Sequence, residues 1–222
     1  MHRYEIGDRV GASAVREDVL EDIAGRDPIL FVGCGHGNED VFTGQDFDII
    51  WWTCDCKELA GRVVYLLSCE TGVRLGPDMV KNKKAVCYIG YNKIFGWIQE
   101  VIGDPLDDKY GRGFFEAVLE LLYKLTDGRT TGEAQAASID VWNKWIDYWS
   151  KSSDPYAPLV LQWMINDRDA QILIGDSGAR VTPAPAIPDL WWLLTMSLGA
   201  APVGVVLAVA GAQELRKAGV IS

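Results

Sequence analysis

Two residues of this 222-residue chain have the chemical types and positions needed for nucleophilic catalysis. His36 follows the largely apolar run PILFVGCG, and Cys69 follows the apolar run RVVYLLS. A thiolate can attack a carbonyl carbon when a histidine serves first as the base and then as the acid for the leaving group. The second histidine, His2, stands almost at the start of the chain, so histidine-dependent chemistry must use His36.

The glycines beside the histidine favour a site in which the backbone approaches a substrate closely. Gly35 and Gly37 flank His36, and a glycine after a strand allows the chain to turn sharply. Backbone N–H groups near the nucleophile can stabilise the oxyanion that forms during acyl transfer. We predict that the N–H groups of Gly37 and Cys69 form this oxyanion hole.

The elements that must position these residues are short apolar strands alternating with helices. This alternation predicts an α/β domain with a mainly parallel sheet, in which function gathers at the carboxyl ends of the strands. Both His36 and Cys69 stand at such ends. The predicted strands are 28–33, 49–53, 62–68, 85–91 and 171–174, and the predicted helices are 13–24, 75–82, 114–125 and 130–149.

Two of the predicted helices have recognisable start signals. Ser13 can cap the first helix with its hydroxyl group, because a serine oxygen accepts from the free N–H groups of a first turn. Thr130 and Glu133 fit a reciprocal capping box for the helix that follows them. We treat segment 38–48, which is polar and contains two glycines, as a loop.

The C-terminal part contains an apolar segment long enough to cross a membrane. Leu190–Ala212 has 23 residues without a charge, and a spanning helix needs about 20. Trp191 and Trp192 stand at one end, where interfacial aromatic residues are expected. A stripe of small residues suits close helix contact, and it consists of Ala200, Gly204, Ala208 and Ala212. The alternative is a buried helical hairpin broken near Pro202.

These patterns predict a division of the chain into five parts. Residues 1–12 form an N-terminal extension without the apolar core of a secretory signal, and 13–180 form the α/β domain. A proline-rich linker over 181–189 leads to the membrane anchor at 190–212 and a short tail at 213–222. We expect the protein to be membrane-anchored, with its α/β domain facing the cytoplasm.

Charge and cysteine content limit the classes of function. The chain has 21 Lys and Arg against 31 Asp and Glu, a net charge of −10, which argues against binding nucleic acid through phosphates. It has five cysteines, an odd number confined to the first 87 residues. We therefore expect reduced thiols rather than a disulfide framework.

Several segments together resemble the gingipain-type and related caspase-like (clan CD) cysteine peptidases. In that family an apolar strand ends in His-Gly, the next strand ends in the catalytic cysteine, and a helix and a third strand follow. The resemblance covers about residues 13–180. It rests on ILFVGCGHG at 29–37, VVYLLSCETG at 63–72, AVCYIGY at 85–91, FFEAVLELLYKLTDGRTTGEAQAA at 114–137 and LIGD at 173–176.

The resemblance implies a caspase-like three-layer sandwich that hydrolyses peptide bonds of a protein or peptide substrate without a cofactor. It implies Cys69 as the nucleophile, His36 as the general base and acid, and Gly37 as an oxyanion donor. Segment 91–97 would form a wall of the specificity pocket, with substrate-binding residues Glu70, Tyr91, Asn92 and Trp97.

Many relatives prefer a basic residue before the scissile bond. Glu70, Asp46 or Asp55 could provide the acid for such a pocket, and the sequence does not select one of them. Relatives also carry one or two more strands before the first helix, where this chain has about twelve residues. The departure predicts a small sheet or an open edge that a partner, a second copy or another segment completes. The small-residue stripe is a second candidate surface for self-association.

Two alternatives stay open at this point. Cys34, His36, Cys54 and Cys56 supply four ligands of the kind that bind zinc, although the spacing of one residue within each pair is short and Cys69 would have no role. The other alternative is a catalytically inactive, membrane-tethered binding module that keeps the fold. The presence of a histidine and a cysteine shows capacity for catalysis only.

Overall fold

The computed structural model describes residues 5–100, 103–181 and 205–210. The strands are β1 (Glu5–Val10), β2 (Pro28–Cys34), β3 (Val41–Thr43), β4 (Ile49–Trp52), β5 (Val63–Leu67), β6 (Cys87–Tyr91), β7 (Gln171–Gly175) and β8 (Val205–Ala210). The helices are α1 (Arg16–Arg26), α2 (Leu75–Lys81), α3 (Arg112–Thr126), α4 (Thr131–Ser150) and α5 (Ala157–Ala170).

Six of these strands form one mixed sheet in the order β1-β8-β2-β5-β6-β7. Strands β2, β5 and β6 pair in parallel, β8 is antiparallel to both β1 and β2, and β7 is antiparallel to β6. Four of the six strands therefore run in the same direction, which confirms the predicted α/β class with a mainly parallel sheet. Strands β3 and β4 form a separate antiparallel hairpin.

The sheet has an apolar core on each face. Successive side chains of a strand point to opposite faces, so Leu30 and Val32 pack towards α3, α4 and α5, whereas Phe31 packs towards α1, α2 and the β3-β4 hairpin. Strands buried on both sides read as continuous apolar runs, as β5 and β6 do. The result is three layers, with the central strands ending at one common edge.

The two predicted helix starts have different outcomes. The Thr130 hydroxyl accepts from the Glu133 N–H, and the Glu133 carboxylate accepts from the Thr130 N–H, which confirms the capping box. The Ser13 cap is wrong, because the Ser13 hydroxyl bonds the backbone of Val10. The first N–H of α1, that of Arg16, instead donates to the Asp48 carboxylate at 2.7 Å.

Some described elements were not predicted. Helix α5 fills the interval before β7, and β3 lies inside the predicted loop 38–48. The predicted extension 1–12 also contributes structure, since β1 forms an outer strand of the described sheet.

The C-terminal apolar segment differs from its prediction where the structure describes it. Residues 205–210 form β8 between β1 and β2 rather than part of a helix. A run such as VVLAVA is rich in β-branched residues, and it suits a strand in the middle of a sheet as well as an apolar helix. The rest of the predicted anchor, 190–204 and 211–212, lies outside the described residues, as do 182–189 and 213–222. None of the helices that the structure describes has the length and apolar character to cross a bilayer.

Candidate functional site

The register between β2 and β5 brings the two predicted catalytic residues to the same edge of the sheet. Cys34 pairs with Leu67 at the ends of these parallel strands, and the Gly35 N–H donates to the Leu67 carbonyl at 3.2 Å. His36 and Cys69 each stand two residues beyond that pair. Both segments therefore leave the sheet side by side at its carboxyl edge.

Gly37 packs directly against the backbone that carries the cysteine. A Cβ atom at this position would lie 2.8 Å from the Cys69 carbonyl oxygen and 2.6 Å from the Thr71 Cγ2 atom. Only glycine fits at these distances without a shift of backbone. The close approach places the chain after His36 against the turn that holds Cys69.

Hydrogen bonds among three buried hydroxyl groups support the turn that holds Cys69. The Ser68 and Thr71 hydroxyls are 2.7 Å apart, and the Thr71 hydroxyl is 2.8 Å from that of Tyr88. Glu70 has a positive φ of 57°, and its N–H donates to the Lys93 carbonyl at 3.0 Å. These hydrogen bonds and the packing around them hold the backbone near Cys69 in one conformation, including the positive φ of Glu70. Strained backbone at functional sites is commonly held in this way.

The Cys69 thiol is half-buried and engaged with the loop that follows β6. Its Sγ donates to the Phe95 carbonyl oxygen at 3.6 Å. Burial raises the pKa of Cys69 above its ordinary value, and the charges of Glu70 and Asp167 raise it further. The free protein therefore holds a protonated thiol at neutral pH, and an added base is needed to make it nucleophilic.

The His36 imidazole lies on the exposed side of the site. Its ring stacks on Phe47, with centroids 5.0 Å apart and an interplanar angle of 22°. Phe47 is 63% exposed, and it follows Asp46 in a turn where both residues have positive φ. Within the described residues no hydrogen bond joins the imidazole to the Cys69 thiol, and such contacts often form only when substrate binds.

An open cleft lies beyond Phe47. Its volume is about 740 Å³, and its lining combines exposed apolar side chains with carboxylates. The lining includes Arg16, Asp46, Phe47, Asp48, Ile49 and Trp52. Phe47 therefore lines this cleft and also stacks on the His36 ring.

The predicted substrate-binding residues lie in different environments. Tyr91 is fully buried, with its ring 4.8 Å from that of Phe95, so its side chain is part of the core rather than an exposed pocket wall. Asn92 and Trp97 are exposed, and Trp97 packs edge-on against Phe115. Glu70 is half-buried beside the thiol.

The fold places the three candidates for the acid of a basic-residue pocket in different positions. Asp46 is exposed at the rim of the cleft, and Asp55 pairs with Arg16 at 3.2 Å. Glu70 has a charge that acts on the Cys69 thiol. Of the three, Glu70 therefore lies nearest to the nucleophile in electrostatic terms.

Asp167 is the residue that the sequence analysis missed. It is fully buried in α5, its Oδ1 accepts from the Gly96 N–H at 3.3 Å, and burial raises its pKa to about 8. Its charge also acts on Cys69. A signal existed, because Val160, Met164 and Asp167 follow the i, i+4, i+7 spacing of a buried helical stripe.

The alternative zinc site is not assembled. Cys34 packs against the core under α3, α4 and α5, whereas Cys56 belongs to the core on the opposite face of the sheet. Burial raises the pKa of both thiols to about 12, and Cys54 and His36 are exposed. In the part of the chain that the structure describes, no three His, Cys, Asp or Glu side chains come close enough to hold a metal ion.

Comparison of the chain with protein-family models, curated proteins and solved structures gives no match. The functional assignment therefore depends on the geometry of this site and on the chemistry of its residues.

Proposed function

We propose that the protein is a caspase-like cysteine endopeptidase in which Cys69 is the nucleophile and His36 the general base and acid. One observation supports this most strongly. Two adjacent parallel strands end in register, and the segments carrying the two residues stay in backbone contact through Gly37. Acyl transfer to a thiol requires a base within reach of the nucleophile, and residues at neighbouring strand ends can meet this requirement.

The proposed reaction has two halves. His36 takes the Cys69 proton, and the thiolate attacks the scissile carbonyl carbon while the N–H groups of Gly37 and Cys69 stabilise the oxyanion. His36 then gives the proton to the leaving amine as the C–N bond breaks, which leaves a thioester on Cys69. A water molecule, deprotonated by His36, hydrolyses the thioester, and the thiol is restored.

A peptide substrate with a basic residue before the scissile bond suits the charges around the thiol. Glu70 is half-buried, and its negative charge acts on the Cys69 thiol. The cleft beside Phe47 offers about 740 Å³ for side chains elsewhere in the peptide. These features favour a cationic substrate over an anionic one.

The test is covalent labelling with a peptide acyloxymethyl ketone probe carrying Arg or Lys. We expect labelling of the wild type, and none of Cys69→Ala or His36→Ala. Cys54→Ala is the matched control, since Cys54 is a free and exposed thiol outside the site, and this variant should label normally. Labelling that survives in Cys69→Ala, or silence with probes for every class of side chain, would reject the proposal.

A second candidate function is the binding module without catalysis. It is favoured by the state of the thiol, which is protonated and bonded to the Phe95 carbonyl rather than to an imidazole. This candidate predicts that Cys69→Ala changes neither the binding of a ligand nor any other measurable activity. Membrane anchoring stays a prediction from the sequence.

A further inference from the structure

The peptide group between Phe95 and Gly96 stands between the nucleophile and the buried acid. Its carbonyl oxygen accepts from the Cys69 thiol at 3.6 Å, and its N–H donates to the Asp167 Oδ1 at 3.3 Å. One peptide group is therefore bonded to the two side chains at its opposite ends.

Other contacts hold this peptide group in place. The Asn166 side chain donates both to the Ile94 carbonyl at 2.8 Å and to the Asp167 Oδ1 at 3.0 Å. The Phe95 side chain is 8% exposed and packs on Tyr91. Side chains of α5 therefore hold the loop just before Gly96 by hydrogen bonds, and the same loop accepts a hydrogen bond from Cys69.

We propose that Asp167 is a positioning residue that controls the ionisation of Cys69 through the Phe95–Gly96 peptide group. A peptide N–H that donates to a carboxylate is polarised, which makes the carbonyl at its other end a stronger acceptor. The net effect of the Phe95 backbone is to lower the pKa of Cys69. Because the thiol donates to the Phe95 carbonyl only while it is protonated, a stronger acceptor reduces this lowering, and the negative charge of Asp167 raises the pKa directly. An ionised Asp167 therefore adds to the rise in the pKa of Cys69, and a neutral Asp167 removes that part of the rise.

Asp167 is suited to this role because it is desolvated and incompletely bonded. Its second oxygen, Oδ2, is buried without a hydrogen-bond partner, and burial raises the pKa of the carboxyl to about 8. The ionisable groups that interact across this cluster are Cys69, Glu70 and Tyr91. Burial keeps Tyr91 neutral at these pH values, because it raises the pKa of its hydroxyl.

This control of Cys69 by Asp167 through the peptide group, which we call the relay, rests on the proposed function because it concerns the same thiol. Its test, however, does not require peptidase activity. We would measure the alkylation rate of Cys69 by iodoacetamide in wild type and Asp167→Asn between about pH 6 and pH 9. Asn keeps the size of the side chain and an oxygen that can accept from Gly96. The exposed Cys54 thiol in the same molecules is the internal reference.

We expect the two proteins to react at similar rates near pH 6, where Asp167 is protonated. Above pH 8 the Asn variant should react about threefold faster or more, since half a pKa unit is worth about a factor of three in thiolate fraction. A rate ratio that is constant across the pH range would show a structural effect only and would overturn the proposal. A slower reaction of the Asp167→Asn variant than of the wild type above pH 8 would also overturn the proposal.

A second measurement keeps the proposal testable if Asp167→Asn does not fold. The coupling between two sites is reciprocal, so the thiol must also influence the acid. The carboxyl ¹³C resonance of Asp167 should titrate in a broad, coupled curve in the wild type and in a single simple step in Cys69→Ala. Identical curves would overturn the relay. If probe labelling fails while these curves differ, the peptidase proposal falls and the relay stands.

Discussion

The two sides of the candidate site are held in different ways. On one side Cys69 lies between buried strands, a hydroxyl network and a loop fixed by α5, and burial raises the pKa of its thiol. On the other side His36 is exposed on a loop beside the β3-β4 hairpin, where its ring stacks on the exposed Phe47. The proposed nucleophile is therefore held in a protonated, hydrogen-bonded state, whereas the proposed base is exposed and has few contacts.

This contrast indicates where the control of reactivity lies. His36 can take the thiol proton only when the bond from Cys69 to the Phe95 carbonyl is broken. Substrate binding next to Trp97 or Glu70 would disturb the loop that supplies this carbonyl. If the proposed mechanism holds, we expect release of the thiol from this bond to control its reactivity.

The largest expected effect comes from breaking the contact between the two sides at Gly37. In Gly37→Ala the new Cβ would meet the Cys69 carbonyl oxygen at 2.8 Å, so one backbone must move. A displacement of about 1 Å at an active site costs about 100-fold in rate, and overpacking costs about 1–3 kcal/mol of unfolding free energy. Probe labelling and denaturant unfolding measure both quantities.

Gly25→Ala is the control for this substitution. Gly25 lies in α1, and a Cβ there would meet nothing within 4 Å. This variant should gain about 0.5–1 kcal/mol of unfolding free energy and label normally. Equal labelling of the Gly37 and Gly25 variants would show that the close approach is unimportant.

The buried acid on the nucleophile side should make stability depend on pH. The folded protein keeps a proton on Asp167 that the unfolded chain releases above pH 3.8, so the stability from this group is complete below pH 3.8 and is lost as the pH rises to about 8. In Asp167→Asn the side chain cannot ionise, so the variant does not lose this stability as the pH rises. Its unfolding free energy relative to wild type should rise by up to about 1.4 kcal/mol per pH unit across that window.

Asp22→Asn provides a control with the opposite sign. Although burial raises the pKa of Asp22, hydrogen bonds from Arg9 and Arg26 lower it below its ordinary value. The stability from Asp22 is present above pH 3.8 and is lost as the pH falls, so this variant should be destabilised most at neutral pH. Denaturant unfolding at several pH values measures both variants, and parallel profiles would contradict the assignment of Asp167.

On the base side, removal of the ring that stacks on His36 should have a moderate effect. Aromatic contacts contribute about 0.5–1.5 kcal/mol, so Phe47→Ala should slow probe labelling by about twofold to tenfold. Phe47→Tyr should restore the rate, because it keeps the ring. The imidazole resonance of His36, with His2 as the reference, reports the loss of the stack separately from activity. An unchanged resonance in Phe47→Ala would rule out the contact in solution.

The smallest expected effect concerns the hydrogen bond that joins the turn between β3 and β4 to the start of α1. Asp48→Ala removes the acceptor for the Arg16 N–H and should cost about 1 kcal/mol of unfolding free energy, as loss of a helix cap does. Asp46→Ala removes only a bond to the neighbouring Gln45 side chain and should cost less. Labelling should be unchanged in Asp48→Ala when the probe carries only the residue before the scissile bond and does not extend into the cleft beside Phe47. A large loss of labelling would mean that the hairpin positions the site more directly than its contacts indicate.

Much of the fold could be predicted because its patterns are local. The apolar runs of β2, β5 and β6, the capping box at Thr130, and the ends of α3 and α4 all follow from the types of neighbouring residues. The positions of His36 and Cys69 beyond strand ends were predictable for the same reason. Their pairing was inferred from the order of the strands, and the register of β2 and β5 agrees with it.

The errors occurred where one sequence pattern fits two structures. The run VVLAVA at 205–210 has no period that separates a strand from an apolar helix, and only its neighbours β1 and β2 favour the strand. The family resemblance implied that Tyr91 belongs to a pocket wall, but it is the last residue of β6 and its side chain is fully buried in the core.

The sequence by itself indicated most of the strands and helices and which residues could act as nucleophile and base, because periodicity and residue type depend on near neighbours. Only the tertiary structure decided the environment of those residues. Burial and long-range contacts bring Asp167 from α5 to the loop beside Cys69, keep the thiol protonated, and leave His36 exposed. A pKa depends on the charges and solvent around a group, and these come from residues that are almost 100 positions apart in the chain.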